Sequence, residues 1–390
     1  MRLLTQIRVV IHLSLATLPQ RKGSSLVIVA CMACVVGVLL SVLAVTNGLL
    51  RIYDISGSPA RAIVFSRDAV SFGGRVEETS TVPPEALAPL IGAPGLAKDV
   101  HGEPMMDAEI LAMLPPTPSF PGGSLWLWGL DARRLSLQPR FEIVAGRLFR
   151  PGLHEMIIGT GARRVFGLNV GDKFAMADGE WPIVGEFSTG GINDSAMMSD
   201  AATVMSALRR TNFNSVVVGL ENPAAFDAFK GWVTSNPALT LTAERQSAYY
   251  QQIAWRTSAF FTAMACISGL VMALGALFGT MKILHSAIDS RSREIATLSA
   301  IGYDPWPIAI SVVLEGVALS MLGALLGALV ARVLVDGRQE IIWNAIFSLS
   351  VSPGLIALGI AWAILLAILG GIVPAVRAAR LPVAEALRQA

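Results

Sequence analysis

The 390-residue chain contains no GxxxxGK[ST] loop, no GxSxG or HExxH motif and no EF-hand pattern. Without the first, these residues should not bind ATP by themselves; without the others, the common serine-hydrolase, zinc-protease and calcium-loop chemistries have no scaffold. Cysteine is scarce, with only Cys31, Cys34 and Cys266, each inside an apolar run, so the rest of the chain cannot rely on disulfides. Cys31 and Cys34 form a CxxC spacing, but no base or metal-ligand partner lies near them, and within an apolar helix they read as two small packing residues. The four histidines, His12, His101, His154 and His285, are scattered and make no metal constellation. Charge is sparse too: charged residues make up 15% and the net charge is +2, which argues against a nucleic-acid partner.

What the chain does have is apolar length. Four runs, at residues 24–50, 257–281, 307–335 and 355–376, match or exceed the roughly 20 residues a helix needs to cross a bilayer core. Only the third contains charges, Glu315 and Arg332. A cleaved signal peptide is the competing reading of the first, but its apolar core is longer than the usual ~7–15 residues and a mixed segment precedes it, so it reads as a retained anchor.

Orientation follows from the basic residues flanking the runs. Arg2, Arg8, Arg21 and Lys22 precede the first; Lys282, Arg291 and Arg293 follow the second; Arg377, Arg380 and Arg388 follow the fourth. Both termini are therefore expected in the cytoplasm, with the large segment between the first and second spans outside. Residues 52–255 carry 21 acidic and 16 basic side chains, so that segment is mildly negative.

The expected fold class is an α-helical membrane protein with four transmembrane helices and a large mixed α/β extracytoplasmic domain between the first and second. The layout is an amphipathic cytoplasmic helix at 1–23, the first span at 24–50, the external domain at 51–256 with room for two subdomains, and the second span at 257–285. A cytoplasmic link at 286–306, a span at 307–335, a short external loop at 336–354, a span at 355–376 and a tail at 377–390 complete it. In the N-terminal helix Leu4, Ile7, Ile11, Leu15 and Leu18 share a face, which fits either the membrane surface or a protein surface.

In the external segment, residues 62–66, 125–130, 156–159, 173–177, 182–188 and 215–220 read as strands, with Asp178-Gly179 as a hairpin turn. Residues 84–91, 201–209 and 224–235 read as helices. The stretch PPTPSFPGG at 115–123 is too rich in proline and glycine for regular structure, and reads as an exposed loop, either a connector or a partner contact.

The link between the second and third spans is the informative part. SRSREIATLSAIG at 290–302 puts Arg291, Arg293 and Glu294 before an apolar set at helical spacing, Ile295, Leu298 and Ile301, and Gly302 then stops it. A short helix of that kind suits docking on a soluble protein or on lipid headgroups. In the spans, Gly275 with Gly279 and Gly323 with Gly327 make GxxxG spacings that permit close helix approach. Glu315 is an intramembrane carboxylate, expected to face protein or to snorkel.

These residues carry a resemblance. SREIATLSAIG, the glutamate of VVLEGVALSMLGALLG and the closing PAVRAARLPVAEALR resemble the permease subunits of MacB, FtsX and LolC-type ABC transporters. The stretch FEIVAGRLFRPGLHEMIIGTGARRVFGLNVGDKFAMADGEWPIVGEFS is similar to the periplasmic core domain of MacB-like members, here without a fused ATPase domain, whereas residues 67–130 resemble nothing identifiable. The resemblance implies a non-catalytic subunit of the bacterial inner membrane, paired with a second permease copy, a homodimer or a close relative. It also implies a separate ABC ATPase that holds ATP and Mg. The segment at Arg291–Ile301 would be its coupling helix, and mechanotransmission would drive export or extraction of a substrate, with a periplasmic adaptor and outer-membrane duct. FtsX-like activation of a cell-wall hydrolase and LolC-like lipoprotein extraction are the alternatives.

Overall fold

The computed structural model describes residues 22–70, 75–114, 125–138, 140–176, 178–289, 305–342 and 345–379. The amphipathic N-terminal segment, the 115–123 stretch and most of the C-terminal tail fall outside them. In chain order the elements begin with α1 (Lys22–Ser56), β1 (Arg61–Ser66), α2 (Leu87–Ile91), β2 (Met106–Leu114), β3 (Leu125–Leu130), β4 (Glu142–Gly146) and β5 (Met156–Gly159). Next come α3 (Thr160–Phe166), β6 (Lys173–Met176), β7 (Gly179–Ser188), β8 (Ala196–Asp200), α4 (Ala201–Ala207), β9 (Ser215–Gly219), α5 (Phe226–Ser235) and β10 (Leu241–Arg245). The chain closes with α6 (Gln246–Asp289), α7 (Pro305–Leu334), β11 (Gln339–Ile342), β12 (Ala345–Ser348) and α8 (Pro353–Ala379).

Two compact units result. One comprises Met1–Asn47, Phe260–Arg338 and Leu349–Ala390; the other comprises Gly48–Ala259 and Gln339–Ser348. α1, α6, α7 and α8 are long and apolar enough to cross a membrane. In the first unit small residues set the packing. A Cβ at Gly323 would come within 2.5 Å of the Val29 carbonyl oxygen and 2.8 Å of Met32 Cβ, and one at Gly327 would run into the Ala33 backbone. α1 and α7 therefore meet backbone to backbone, which in lipid is a favoured way to gain dispersion contact. Around that seam Met32, Val36, Leu40, Ala276, Ala328 and Ala363 form a core.

The second unit is built on a ten-stranded mixed sheet of order β10-β1-β9-β2-β3-β8-β5-β7-β4, with β6 also paired to β7. Neighbours are antiparallel except β3 with β8 and β5 with β7. Both faces are covered, and this explains why β1, β3, β5 and β9 read as unbroken apolar runs. On one face Val64, Val216 and Val218 pack under Leu90 of α2 and Phe229 and Val233 of α5. Further along it, Ile110, Leu127, Ile158 and Met197 pack under Ala162 of α3 and Val204 of α4. Burying a side chain of this size contributes about 2 kcal/mol. On the other face Leu111, Trp126, Trp128, Ile157, Phe187 and Met198 form a separate core.

Local chemistry sets the helix ends. Asp200 Oδ2 accepts from the Thr203 N–H (3.0 Å) and hydroxyl (2.7 Å), capping α4. Gly167, left-handed at φ 67°, closes α3 by donating to the Arg163 carbonyl at 2.9 Å.

Several elements differ from the sequence reading. The helices expected from residues 84 and 224 each begin as a 3-10 turn, Pro84–Ala86 and Pro223–Ala225, and the helix expected at 201–209 stops at Ala207. The strand read from residue 182 starts at Gly179, while those read to 177 and 220 stop at Met176 and Gly219. β2, β4, β8, β10 and α3 are additional. The short loop expected at 336–354 holds a hairpin, β11–β12. It belongs to the sheet unit, where Ile346 enters the core beside Met197 and Ala162.

Candidate functional site

The coupling residues inferred from sequence, Arg291, Arg293, Glu294, Ile295, Leu298, Ile301 and Gly302, lie outside the described residues, between the end of α6 and the start of α7. Gly323 and Gly327 lie in the α1–α7 seam. Gly275 and Gly279 do not share it: a Cβ at either would meet nothing within 4 Å among the described residues. Glu315 is partly buried on α7. Among the described residues no group of three His, Cys, Asp or Glu side chains could hold a metal. A cleft of about 280 Å³ between α7 and α8, flanked by Trp306, Ile310, Val313, Ile372 and Val376, presents only apolar surface.

The polar chemistry that the sequence reading missed is in the sheet unit. β2 alternates: Met106, Ala108 and Ile110 join the helix-covered face, so Asp107, Glu109 and Leu111 point to the other. Asp107 and Glu109 are only 2% and 3% exposed. The signal was present in MDAEILAML, where two acids recur with period two inside an apolar run.

Around these carboxyls a hydrogen-bonded layer extends in several directions. Glu109 Oε1 accepts from Gln138 Nε2 at 3.2 Å, and Gln138 Oε1 accepts from Asn193 Nδ2 at 2.8 Å. Asn214 donates its backbone N–H to the Glu109 carbonyl at 2.9 Å and its side-chain amide to the Glu77 carbonyl at 2.8 Å. The Tyr249 hydroxyl, on the first turn of α6, donates to the Glu77 carboxylate and accepts from the Val76 N–H at 3.0 Å. The buried guanidinium of Arg75 lies over Trp126 and Trp128, 5.8 and 5.7 Å from their ring centroids.

Asn193 sits in a loop, residues 188–195, that reaches two further elements. The Ile192 N–H donates to Ser56 Oγ, at the end of α1, at 3.0 Å. The Ser195 hydroxyl accepts from the Ile346 N–H at 2.8 Å and donates to the Ile346 carbonyl at 3.3 Å, pinning β12. Gly159 and Gly161 leave room for this loop, since a Cβ at either would meet the Asp194 backbone.

Burial pushes the Asp107 carboxyl up to about 7, against the hydrogen bond it accepts from the Asp131 N–H. Burial, and then the neighbouring Asp107, raise Glu109 well above the ordinary carboxylate range. Glu77 is also raised by burial, with Arg75 opposing. Asp107 and Glu109 are neighbouring buried carboxyls, and Arg75 acts on Glu77 instead, so ionising both would be costly and burial favours their protonated forms.

Two solved structures resemble the chain. One is the extracellular domain of the noncanonic ABC-type transporter YknZ from Gram-positive bacteria, 14% identical, covering 47% of this chain and 99% of that one, with a TM-score of 0.35. The other is the periplasmic region of MacB from Actinobacillus actinomycetemcomitans, 12% identical, covering 53% and 97%, with a TM-score of 0.37. Likeness at this level assigns no function to the sheet unit. No curated protein matches the chain. Residues 266–383, from within α6 through the link and α7 to beyond α8, match the family described as FtsX-like permease C-terminal. Over this stretch, and over no more of its length, the chain is similar to the FtsX-like permease C-terminal family.

Proposed function

We propose that the chain is the permease subunit of a MacB-like ABC transporter, in which ATP hydrolysis by a separate subunit drives movement of the external domain for export or extraction of a substrate. The match of residues 266–383 to the FtsX-like permease C-terminal family carries this reading, because it brackets the link containing Arg291–Ile301. Three features of the chain support it. The 390 residues hold no phosphate-binding loop, which fits a reading in which ATP and Mg are bound outside them. No catalytic motif in the sequence competes with a mechanical role. α1 and α6 each run unbroken through residues of both units, the continuity that transmission along a helix needs.

In this reading both termini and the link face the cytoplasm, the sheet unit faces the periplasm of a bacterial inner membrane, and two permease copies pair. A periplasmic adaptor and an outer-membrane duct complete the export route. The experiment is a cysteine at Ser119 in cells permeable only at the outer membrane. Rapid reaction with an impermeant thiol reagent is expected. Protection of that cysteine, with reaction of one placed at Ser290 in the same cells, would overturn the orientation.

A further inference from the structure

The polar layer reaches the ends of two of the long apolar helices and the hairpin between the other two. Tyr53 and Ser56 belong to the end of α1, Tyr249 and Tyr250 to the start of α6, and Ile346 to the hairpin between α7 and α8. The residues between them are nearly sealed from water, with Glu77 at 1%, Asn193 at 5%, and Arg75 and Gln138 at 9% exposed. Such a layer is stable only while its charges balance, because a buried carboxylate with no partner is costly.

The balance is incomplete. Asp107 Oδ2, Asn193 Oδ1 and Arg75 Nη1 have no hydrogen-bond partner among the described residues. The charged and titratable groups facing Asp107 and Glu109 come from several directions. Asp131 and Arg134 follow β3; Arg134 is engaged by Asp99 at 2.6 Å and Glu103 at 2.9 Å. Glu77, with Arg75 beside it, comes from the segment after β1. Tyr53, Tyr249 and Tyr250 come from the two long helices, and Glu244 of β10 bears on Glu77. Arg75, the cation buried within the layer, lies nearest Glu77 and the tyrosines, which leaves Asp107 and Glu109 to rely on protons.

We propose that this layer is a proton-responsive clamp. With protons on Asp107 and Glu109, it holds loop 188–195 and the adjoining ends of α1 and α6 against the sheet. When those protons are lost, two like charges stand buried on one face of β2, and their repulsion and need for water, outweighing the stronger bond Glu109 then accepts from Gln138, push the layer apart and free the loop. The pH on the side of the membrane facing the sheet unit thus sets how firmly the loop is gripped. The inference stands on the geometry of the sheet unit and does not depend on an ATPase partner.

The sign is fixed by the raised carboxyls. An unfolded Asp releases its proton near pH ~4, whereas Asp107 holds it to about 7. Over that interval the folded chain binds the extra proton, so the grip is full at the acid end and lost as pH rises through about 7.

The test is thiol labelling at Ile192→Cys, a buried position on the loop, in the full-length chain in detergent with its native cysteines replaced by alanine. A second chain bearing Val144→Cys on the exposed β4 normalises for thiolate reactivity, which itself rises with pH. The normalised rate should rise on the order of tenfold between about pH 5.5 and about pH 8. In an Asp107→Asn, Glu109→Gln background it should stay flat. A flat parent profile overturns the proposal, as does an equal rise in both backgrounds. If the double variant does not fold, Glu109→Gln alone, which keeps an oxygen toward Gln138, must at least halve the rise, and an unchanged rise overturns the proposal.

Discussion

Asp194 shows how much one side chain can organise. Its carboxylate accepts from the Thr189 hydroxyl at 2.9 Å, the Ser188 hydroxyl at 3.0 Å, the Gly190 N–H at 3.1 Å and the Thr160 hydroxyl at 3.3 Å, and also from the Thr189 N–H. These bonds fix the turn that presents Ile192 to Ser56 and Ser195 to Ile346. Hydrogen bonds to a charged acceptor are the stronger class, and removing this one strands several donors at once. Asp194→Ala should therefore destabilise the sheet unit by on the order of 3 kcal/mol, read as a lower thermal midpoint of the purified chain, with Asp194→Asn between it and the parent. An unchanged midpoint in Asp194→Ala would show that the loop is held without this carboxylate, by its bonds to Ser56, Gln138 and Ile346 and its apolar contacts. Ser195→Ala is a gentler probe: it removes both bonds to Ile346, and a loss of about 1 kcal/mol is expected.

At the scale of elements, the glycine pairs divide. Gly323 and Gly327 are filled by the α1 backbone, whereas Gly275 and Gly279 meet nothing within 4 Å among the described residues. Gly327→Leu should drive α1 and α7 apart and cost about 1–3 kcal/mol, seen as a lower unfolding midpoint in detergent. Gly275→Leu should leave that midpoint unchanged. If a second permease copy packs on the α6 face, Gly275→Leu should instead reduce the dimer fraction measured by light scattering; an unaltered dimer would remove α6 from the interface.

The four long apolar helices were legible in the sequence because an apolar run of such length has few other uses. Strands of β-branched residues such as SVVVG at 215–219 were legible for the same kind of reason. The ends were not. α6 begins at Gln246, ahead of its apolar run, because Tyr249, Tyr250, Ile253 and Ala254 are buried within the sheet unit, a tertiary effect that hydropathy does not register. The hairpin at 339–348 was hidden because its strands have four residues each, and their stability comes from pairing and from Ile346 in the core. The acids of β2 alternate as a solvated strand face would, while the fold covers that face with tryptophans and Gln138.

For the whole molecule, the FtsX-like domain at 266–383 and the sheet unit divide the work proposed: energy enters at the link between α6 and α7, and the external unit responds. The most direct measurement is ATP hydrolysis by the chain purified from its native membranes in mild detergent, with and without Glu294→Ala and Leu298→Ala. The account predicts that an ATP-hydrolysing subunit co-purifies with the parent and that the double substitution cuts its association or its stimulated activity on the order of tenfold, the size of a lost docking contact. A parent chain that purifies with no ATPase, or a double substitution that leaves association and hydrolysis intact, would contradict it.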